Sequence, residues 1–389
     1  MLAAARRLPP EVWALGFVSL LTDAASDMIY PLLPALLASV GGGALALGLV
    51  EGTAELLAAF VKVWTGRRVD REGGHGRFVI AGYAIATVAR PCLALITAPW
   101  QAVVARSIDR FGKGIRSAPR DAIISRVTPP ERRGIAFGLH RAMDNAGAVV
   151  GPLIAALLLG AFHLPVRTVI ALAIVPGIFS TALAIWAVRR FRDAAPTGTG
   201  DRGRAPLPPQ ARTTLVAVAF YALGASADSF LLLRLAKLGM PLPLLPIAWL
   251  TLQAGKSLLN VPGGALADRF GARHVLLVSW SVYALSYAAF AFAPTWPIFW
   301  ALFAVYAVHY GLGEGAEKSL LARLVPEGSR GAAFGLQIAV HGVALLPANV
   351  LFGLLYEKHV VLAFGLSAAL AMVALIVLAI GTREREATL

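Results

Sequence analysis

The chain has 389 residues, 58% of them hydrophobic and 14% charged, with a mean hydropathy of +0.72. A soluble globular protein carries about 25% charged residues, so this composition excludes one and points to a polytopic membrane protein. The single cysteine, Cys92, excludes an intrachain disulfide and a cysteine-based zinc site, while the net charge of +14 raises nucleic-acid binding, a reading that the placement of the charge decides.

Apolar runs recur near 12–39, 44–64, 78–97, 100–118, 133–158, 166–188, 213–235, 243–266, 275–293, 297–316, 331–356 and 360–381. Each is about the 20 residues that a helix needs to cross a bilayer core, so twelve transmembrane helices are expected. The first follows the basic start "MLAAARRLPP" and has the outline of a secretory signal. It is too long for one, carries Asp23 and Asp27, and lacks a convincing cleavage site, so it reads as a retained helix. Asp23 and Asp27 are four apart and share one face. Pro31 and Pro34 stand four residues beyond Asp27 and Tyr30, and each removes the N–H that would bond the carbonyl behind it. Freed carbonyls and carboxylates are tolerated at membrane depth only against protein or a water-filled cavity. This helix is therefore expected to line a path.

Further along, the second span carries Glu51, Glu55 and Lys62, and the fourth a stripe of Arg106, Asp109, Arg110, Lys113 and Arg116. His140, Asp144, Gly147 and Gly151 share a face of the fifth. In the seventh, Asp228 of "GASADSFLLLRL" stands about where Asp27 stands in the first. Gln253, Lys256 and Asn260 line the eighth, Glu314 and Glu317 mark the tenth, and His341 the eleventh. A charge at the bilayer centre costs at least a few kcal/mol on insertion scales, so these groups either pair between helices or face a cavity. His140 and Asp144 have the spacing of a proton-relay pair and equally of a hydrogen-bonded core histidine. Arg90 and His309 stand alone on their spans and read as packed groups, and Arg116, Arg120 and Asp121 read as interfacial.

The loops decide the meaning of the net charge. Arg6 and Arg7, then Arg67, Arg68, Arg71 and Arg77, then Arg120, Arg126, Arg132 and Arg133, then Arg189, Arg190, Arg192, Arg202, Arg204 and Arg212, then Arg269, Arg273, Arg323, Arg330, Arg383 and Arg385 fall at the two termini and in alternate loops, and the opposite loops hold chiefly Arg167, Lys237 and Lys358. This is the positive-inside pattern, with both termini cytoplasmic. It accounts for the basic balance without nucleic acid.

The chain also repeats itself. "GRRVDREG" from Gly66 matches "GALADRFG" from Gly264, and "VTPPERRGIAFGL" from Val127 matches "LVPEGSRGAAFGL" from Leu324. The two matches have nearly one spacing, which implies two six-helix halves, 1–188 and 213–389, joined by a Pro-, Gly- and Arg-rich cytoplasmic linker over 189–212.

These residues resemble the major facilitator superfamily, whose members have twelve helices in two pseudo-symmetric six-helix bundles and a glycine/Asp-Arg/glycine loop between helices 2 and 3. The loop is carried here by Gly66, Asp70 and Arg71, and in the second half by Gly264, Asp268 and Arg269. The resemblance implies an all-α membrane protein in which this loop gates the cytoplasmic side. Gly66 and Gly264 would permit close helix approach, and Asp70 and Asp268 would sit near a helix N-terminus, where negative charge is favoured. "NAGAVVGP", with Gly147, Gly151 and Pro152, is similar to the family's exporter motif, which makes a bend and a tight contact with a helix of the other half; the further glycine pair of that motif is replaced by Leu153, Ile154, Ala155 and Ala156. The family's arginine and glycine pattern in helix 4 is only approximated, by Gly112 and Gly114.

No nucleophile elbow, phosphate loop or His-Glu-x-x-His pair occurs, so the chain does not read as an enzyme, and active transport would draw on an ion gradient. A carboxylate in a partly dry cavity suits that role, because desolvation disfavours its charged form. The expected function is proton-coupled export of a small organic solute across the cytoplasmic (inner) membrane by alternating access. Asp27 is the first choice of proton carrier, with Asp23, Glu51 and Glu55 as alternates. Tyr30, Arg106, Asp109, Arg110, Lys113, His140, Asp144, Asp228, Lys256, Glu314 and His341 are the expected substrate contacts or their charge partners. The partners are the solute, protons and the bilayer, and the expected state is a monomer. No cofactor or metal is expected, since soft ligands are limited to one cysteine and five methionines. Two rivals stay open: uptake or exchange of an anionic metabolite or metal chelate, which the cationic fourth span would suit, and a membrane receptor or scaffold that does not transport.

Overall fold

The computed structural model describes residues 8–129, 132–190, 207–326 and 329–382, without the side chain of Asp70. Among them are twelve long helices: α1 (Pro10–Ser39), α2 (Ala44–Glu72), α3 (His75–Cys92), α4 (Pro99–Val127), α5 (Arg133–Gly160), α6 (Val166–Arg190), α7 (Pro209–Lys237), α8 (Leu245–Phe270), α9 (Ala272–Phe292), α10 (Trp296–Leu324), α11 (Arg330–Lys358) and α12 (Val360–Gly381). Each overlaps its expected span. Several run past the apolar run, α2 to Glu72, α4 to Val127 and α10 to Leu324, because a helix leaving the bilayer continues with its charged side chains in water. Nine of the twelve are long and apolar enough to cross a membrane; the others, α4, α8 and α10, are helices that carry much of the polar machinery described below.

The chain divides into two compact units. Unit 1 comprises Met1–Gly42, Thr53–Gly200 and Pro241–Leu250, and unit 2 comprises Gly43–Gly52, Asp201–Met240 and Thr251–Leu389. The division differs from a single cut at the linker because short segments at the starts of α2 and α8 each group with the other set of helices. The expected linker, 189–212, falls mainly on 191–206, outside the described residues.

Glycines set the helix spacing in unit 1. A Cβ on Gly147 would fall far inside contact distance of the Leu20 carbonyl oxygen, and one on Gly151 would do the same at Ala24. The exporter-like motif thus seats α5 on α1 of the same unit, where the resemblance implied a helix of the other half. Gly147→Leu is expected to part these helices and to lower stability by about 1–3 kcal/mol or more, the cost of overpacking, read as a lower melting temperature in detergent. Gly138→Leu, on the same helix with open space around it, is the control, and equal melting of the two variants would refute the packing role.

Gly66 and Gly264 do not act as expected. A Cβ on Gly66 would meet only Ala118, at 3.7 Å, and one on Gly264 would meet nothing within 4 Å. The close approach in α8 belongs instead to the neighbouring Gly263, packed on the backbone of Gly311 in α10. Adjacent helix positions face about 100° apart, so a one-residue difference moves the small side chain to another face.

Unit 2 has an aromatic core. Tyr221 stacks on Trp280 with ring centroids 4.9 Å apart, Tyr283 on Tyr287 at 4.2 Å and Phe290 on Phe299 at 4.4 Å. His309 lies within it, between Tyr221 and Ser279, as the packed group that the sequence suggested. The core also holds a break that the sequence did not announce. α7 runs as Pro209–Gly224 and Ser229–Lys237, with Ala225–Asp228 out of the helix. No proline marks it. The opened backbone is satisfied from the side: Tyr283 donates to the Gly224 carbonyl (3.0 Å), the Ser226 and Tyr287 hydroxyls pair (2.8 Å), and the Ala227 N–H donates to Asn349 Oδ1 (2.7 Å). Such substitution is what allows unwound backbone inside a membrane protein.

Candidate functional site

In unit 1 the prolines of α1 reshape the helix as their spacing demands. The α-helix ends at Ile29, Tyr30–Leu32 forms a 3₁₀ turn, and the α-helix resumes at Leu33. Asp27 sits within a turn of this change. Its Oδ1 accepts from the indole N–H of Trp249 (2.7 Å), and the Trp249 ring lies 4.4 Å from that of Tyr30. On the other side, the Arg106 guanidinium stands 5.5 Å from the centre of the Tyr30 ring. Asp23 and Asp27 are partly exposed, and neither makes an ion pair among the described residues. Charges still surround them: Asp23 feels Asp144, Lys113, Arg116 and Arg120, and Asp27 feels Asp23, Lys113 and Arg110.

Behind this face the charges are clamped. Asp109 accepts from Arg90 Nε (2.9 Å) and from Arg106 (3.1 Å), all three being nearly inaccessible to solvent. Arg90 also donates to the Thr22 carbonyl (2.9 Å), so one side chain of α3 ties α4 to α1. Buried charges persist only when paired and hydrogen-bonded, and here one carboxylate serves two guanidinium groups. Arg110 pairs with Glu55 of α2 at 3.2 Å, and Lys113 is exposed nearby, within the field of Glu55 and Asp23. His140 shares a hydrogen bond with Ser19 (3.0 Å), which also accepts from Arg120 (3.1 Å). Asp144 stands 3.6 Å from the His140 ring, beyond hydrogen-bond distance. Arg116 is buried with its guanidinium 4.6 Å from the Tyr83 ring, and is therefore not interfacial.

Glu51, one turn before Glu55 on α2, is buried and falls in the short segment grouped with unit 2. In unit 2 the break in α7 delivers Asp228 to a polar cluster. The carboxylate accepts from Lys256 (3.2 Å), Tyr306 (3.2 Å) and Tyr310 (3.0 Å). Glu317 accepts from Gln337 (2.6 Å) and bonds His341 (2.8 Å). Glu314 lies outside this set, exposed beside Lys318 at 3.8 Å. At the loop ends, Asp268 is 3.4 Å from Arg323, Arg269 stacks on Phe270, and Arg71 is exposed; Asp70 lies outside the described side chains.

Trp249, Tyr306 and Tyr310 were among the participants that the sequence did not single out, and Arg90, read there as a packed group, is the arginine that holds Asp109. Arg90 carried a usable signal, because an arginine alone on a membrane span needs a carboxylate on a neighbour. The aromatic residues carried none beyond their capacity to donate one hydrogen bond.

The sequence profile of the Major Facilitator Superfamily matches residues 15–251 and 215–388, and the chain belongs to that superfamily. An uncharacterized MFS-type transporter of Methanocaldococcus jannaschii is 32% identical over 375 residues, covering 95% of this chain and 94% of that one. The multidrug resistance protein MdtH of Photorhabdus laumondii is 28% identical over 144 residues, 37% of this chain and 36% of its own. Among solved structures, the nucleoside transporter NupG superposes with a TM-score of 0.80 at 12% identity, over 96% of this chain and all of that one. A POT peptide transporter gives 0.78 at 13%, over 95% and 94%. At such identities these structures share the fold alone. The protein is thus a multi-pass membrane transporter for a small molecule, with two pseudo-symmetric six-helix bundles.

Proposed function

We propose that the protein is a proton-coupled secondary transporter that exports a small organic solute across the cytoplasmic membrane by alternating access between its halves, 1–188 and 213–389, with both termini cytoplasmic and the monomer as the working unit. The observation that carries the reading is the contrast between carboxylates in unit 1. Asp109 and Glu55 are held by arginines, whereas Asp27 is held by an indole N–H beside a proline-made break in α1. A carboxylate without a cation clamp is the one that can gain and lose a proton during a cycle, so Asp27 leads, with Asp23 next and Glu55 and Glu51 after them. Tyr30, Arg106, Arg110 and Lys113 are the candidate solute contacts of unit 1; Lys256 and His341 are those of unit 2, with Asp228 as the charge partner of Lys256. The partial likeness to a protein named for multidrug resistance supports export over uptake. Flux into proteoliposomes with and without an imposed pH gradient tests the whole reading; transport indifferent to the gradient would end the proton coupling, and no flux of any solute would favour the receptor reading.

The Asp268 loop serves as the cytoplasmic gate in this scheme. Asp268→Asn is expected to slow turnover several-fold while leaving solute affinity unchanged, since the loop biases the conformational equilibrium without touching cargo. An unchanged turnover rate removes the gate assignment.

A further inference from the structure

The Asp228 cluster is built with more bonds than a structural ion pair needs. Lys256 Nζ lies 3.2 Å from Asp228 Oδ2 and 3.4 Å from the centre of the Tyr310 ring, and it is 21% exposed where Asp228 is 7%. The carboxylate meanwhile accepts two tyrosine hydroxyls, Tyr310 within 3.0 Å of both oxygens and Tyr306 at 3.2 Å from one. Removing one member of a buried pair is normally costly because the other is left bare. Here that cost is reduced on both sides: the tyrosines continue to serve Asp228 as an anion, and the ring face continues to support Lys256 as a cation.

We propose that Lys256 seats an acidic group of the cargo, a carboxylate or sulfonate on a small organic molecule, by exchanging its internal counter-ion Asp228 for the ligand. This rests on the transport reading above and names the class of solute. Tyr306 and Tyr310 act as positioning residues: they hold Asp228 back when Lys256 turns to the ligand. A neutral or cationic solute would gain nothing from that exchange, so the arrangement selects for acids.

The opposing effects of two substitutions test the idea. The purified full chain in lipid nanodiscs is melted with a panel of aliphatic and aromatic carboxylates and sulfonates, each paired with its neutral amide. Acids and not amides are expected to raise the melting temperature. Lys256→Gln should weaken binding of a stabilising acid by about tenfold or more, the worth of a charge-assisted hydrogen bond, and Lys256→Arg should retain it. Asp228→Asn removes the internal competitor and should tighten binding several-fold. Tyr306→Phe with Tyr310→Phe should weaken it, and should have no such effect once Asp228 is Asn. A purely structural pair predicts that Lys256→Gln and Asp228→Asn both weaken binding. That result, a panel with no acid-specific stabilisation, or acid binding indifferent to Lys256→Gln overturns the proposal. Flux of the stabilising acid in proteoliposomes is read separately: binding through Lys256 without flux keeps the site and removes the transport reading.

Discussion

Asp27→Asn is expected to abolish accumulation of solute against its gradient while leaving exchange and downhill flux. A carboxylate that couples a proton to the cycle must alternate between anion and neutral acid, and asparagine is fixed in the neutral form. Its side-chain carbonyl can still accept the Trp249 indole N–H, which Asp27 Oδ1 accepts at 2.7 Å, so the variant preserves the local geometry and removes only the titration. Accumulation driven by a pH gradient in proteoliposomes should fall to the ratio set by passive equilibrium, with counterflow retained and the pH dependence of binding flattened. Asp23→Asn, one turn earlier on the same face, should do less. Should Asp27→Asn concentrate solute as well as the unsubstituted protein, the carrier is elsewhere, and Asp23 and Glu55 are the next to test.

The second large effect falls on folding. Asp109 is the shared acceptor of Arg90 and Arg106, and all three are buried. Asp109→Asn leaves two guanidinium groups against a neutral amide in low dielectric, and breaking a buried pair in this way costs about 3–5 kcal/mol. Thermal melting in nanodiscs should show a much less stable protein, or expression should fail. A triple replacement by Leu at Asp109, Arg90 and Arg106 separates structure from function: recovered stability with lost transport means that the charges serve the cargo path, whereas recovered stability and transport together would make them a dispensable lock. An Asp109→Asn variant that melts like the unsubstituted protein would show that the triad carries no strain of charge at all.

Most of the architecture was legible because hydropathy and helix length report directly on the bilayer. All twelve helices lie where the apolar runs lie, and the proline spacing in "DMIYPLLP" foretold the break in α1. The break in α7 was not legible. It rests on Tyr283, Tyr287 and Asn349, which replace backbone bonds from distant points in the chain, and a local pattern cannot announce such support. Site residues divide the same way. That charged groups on the spans either pair between helices or face a cavity followed from their cost in the bilayer, and Arg110 with Glu55 is such a pair. Which carboxylate stayed unclamped depended on Arg90 reaching Asp109 from α3, a choice that spacing along one helix does not encode. The glycine positions failed by a single residue, Gly263 for Gly264, since a motif fixes a loop's sequence more tightly than the face on which its flanking helix packs.

The polar helices also constrain how the chain enters the bilayer during synthesis. α4 and α8 are less apolar than their neighbours, and a helix of that kind partitions poorly from the translocon on its own. Each follows a helix that already holds its partner: Arg90 of α3 precedes Asp109 of α4, and Asp228 of α7 precedes Lys256 of α8. The pairs can therefore close as hairpins, with the earlier helix supplying the counter-charge as the later one emerges. Biogenesis would then proceed by paired insertion at these two points, and a substitution at Arg90 would first be felt as a topology error in the helix that comes next.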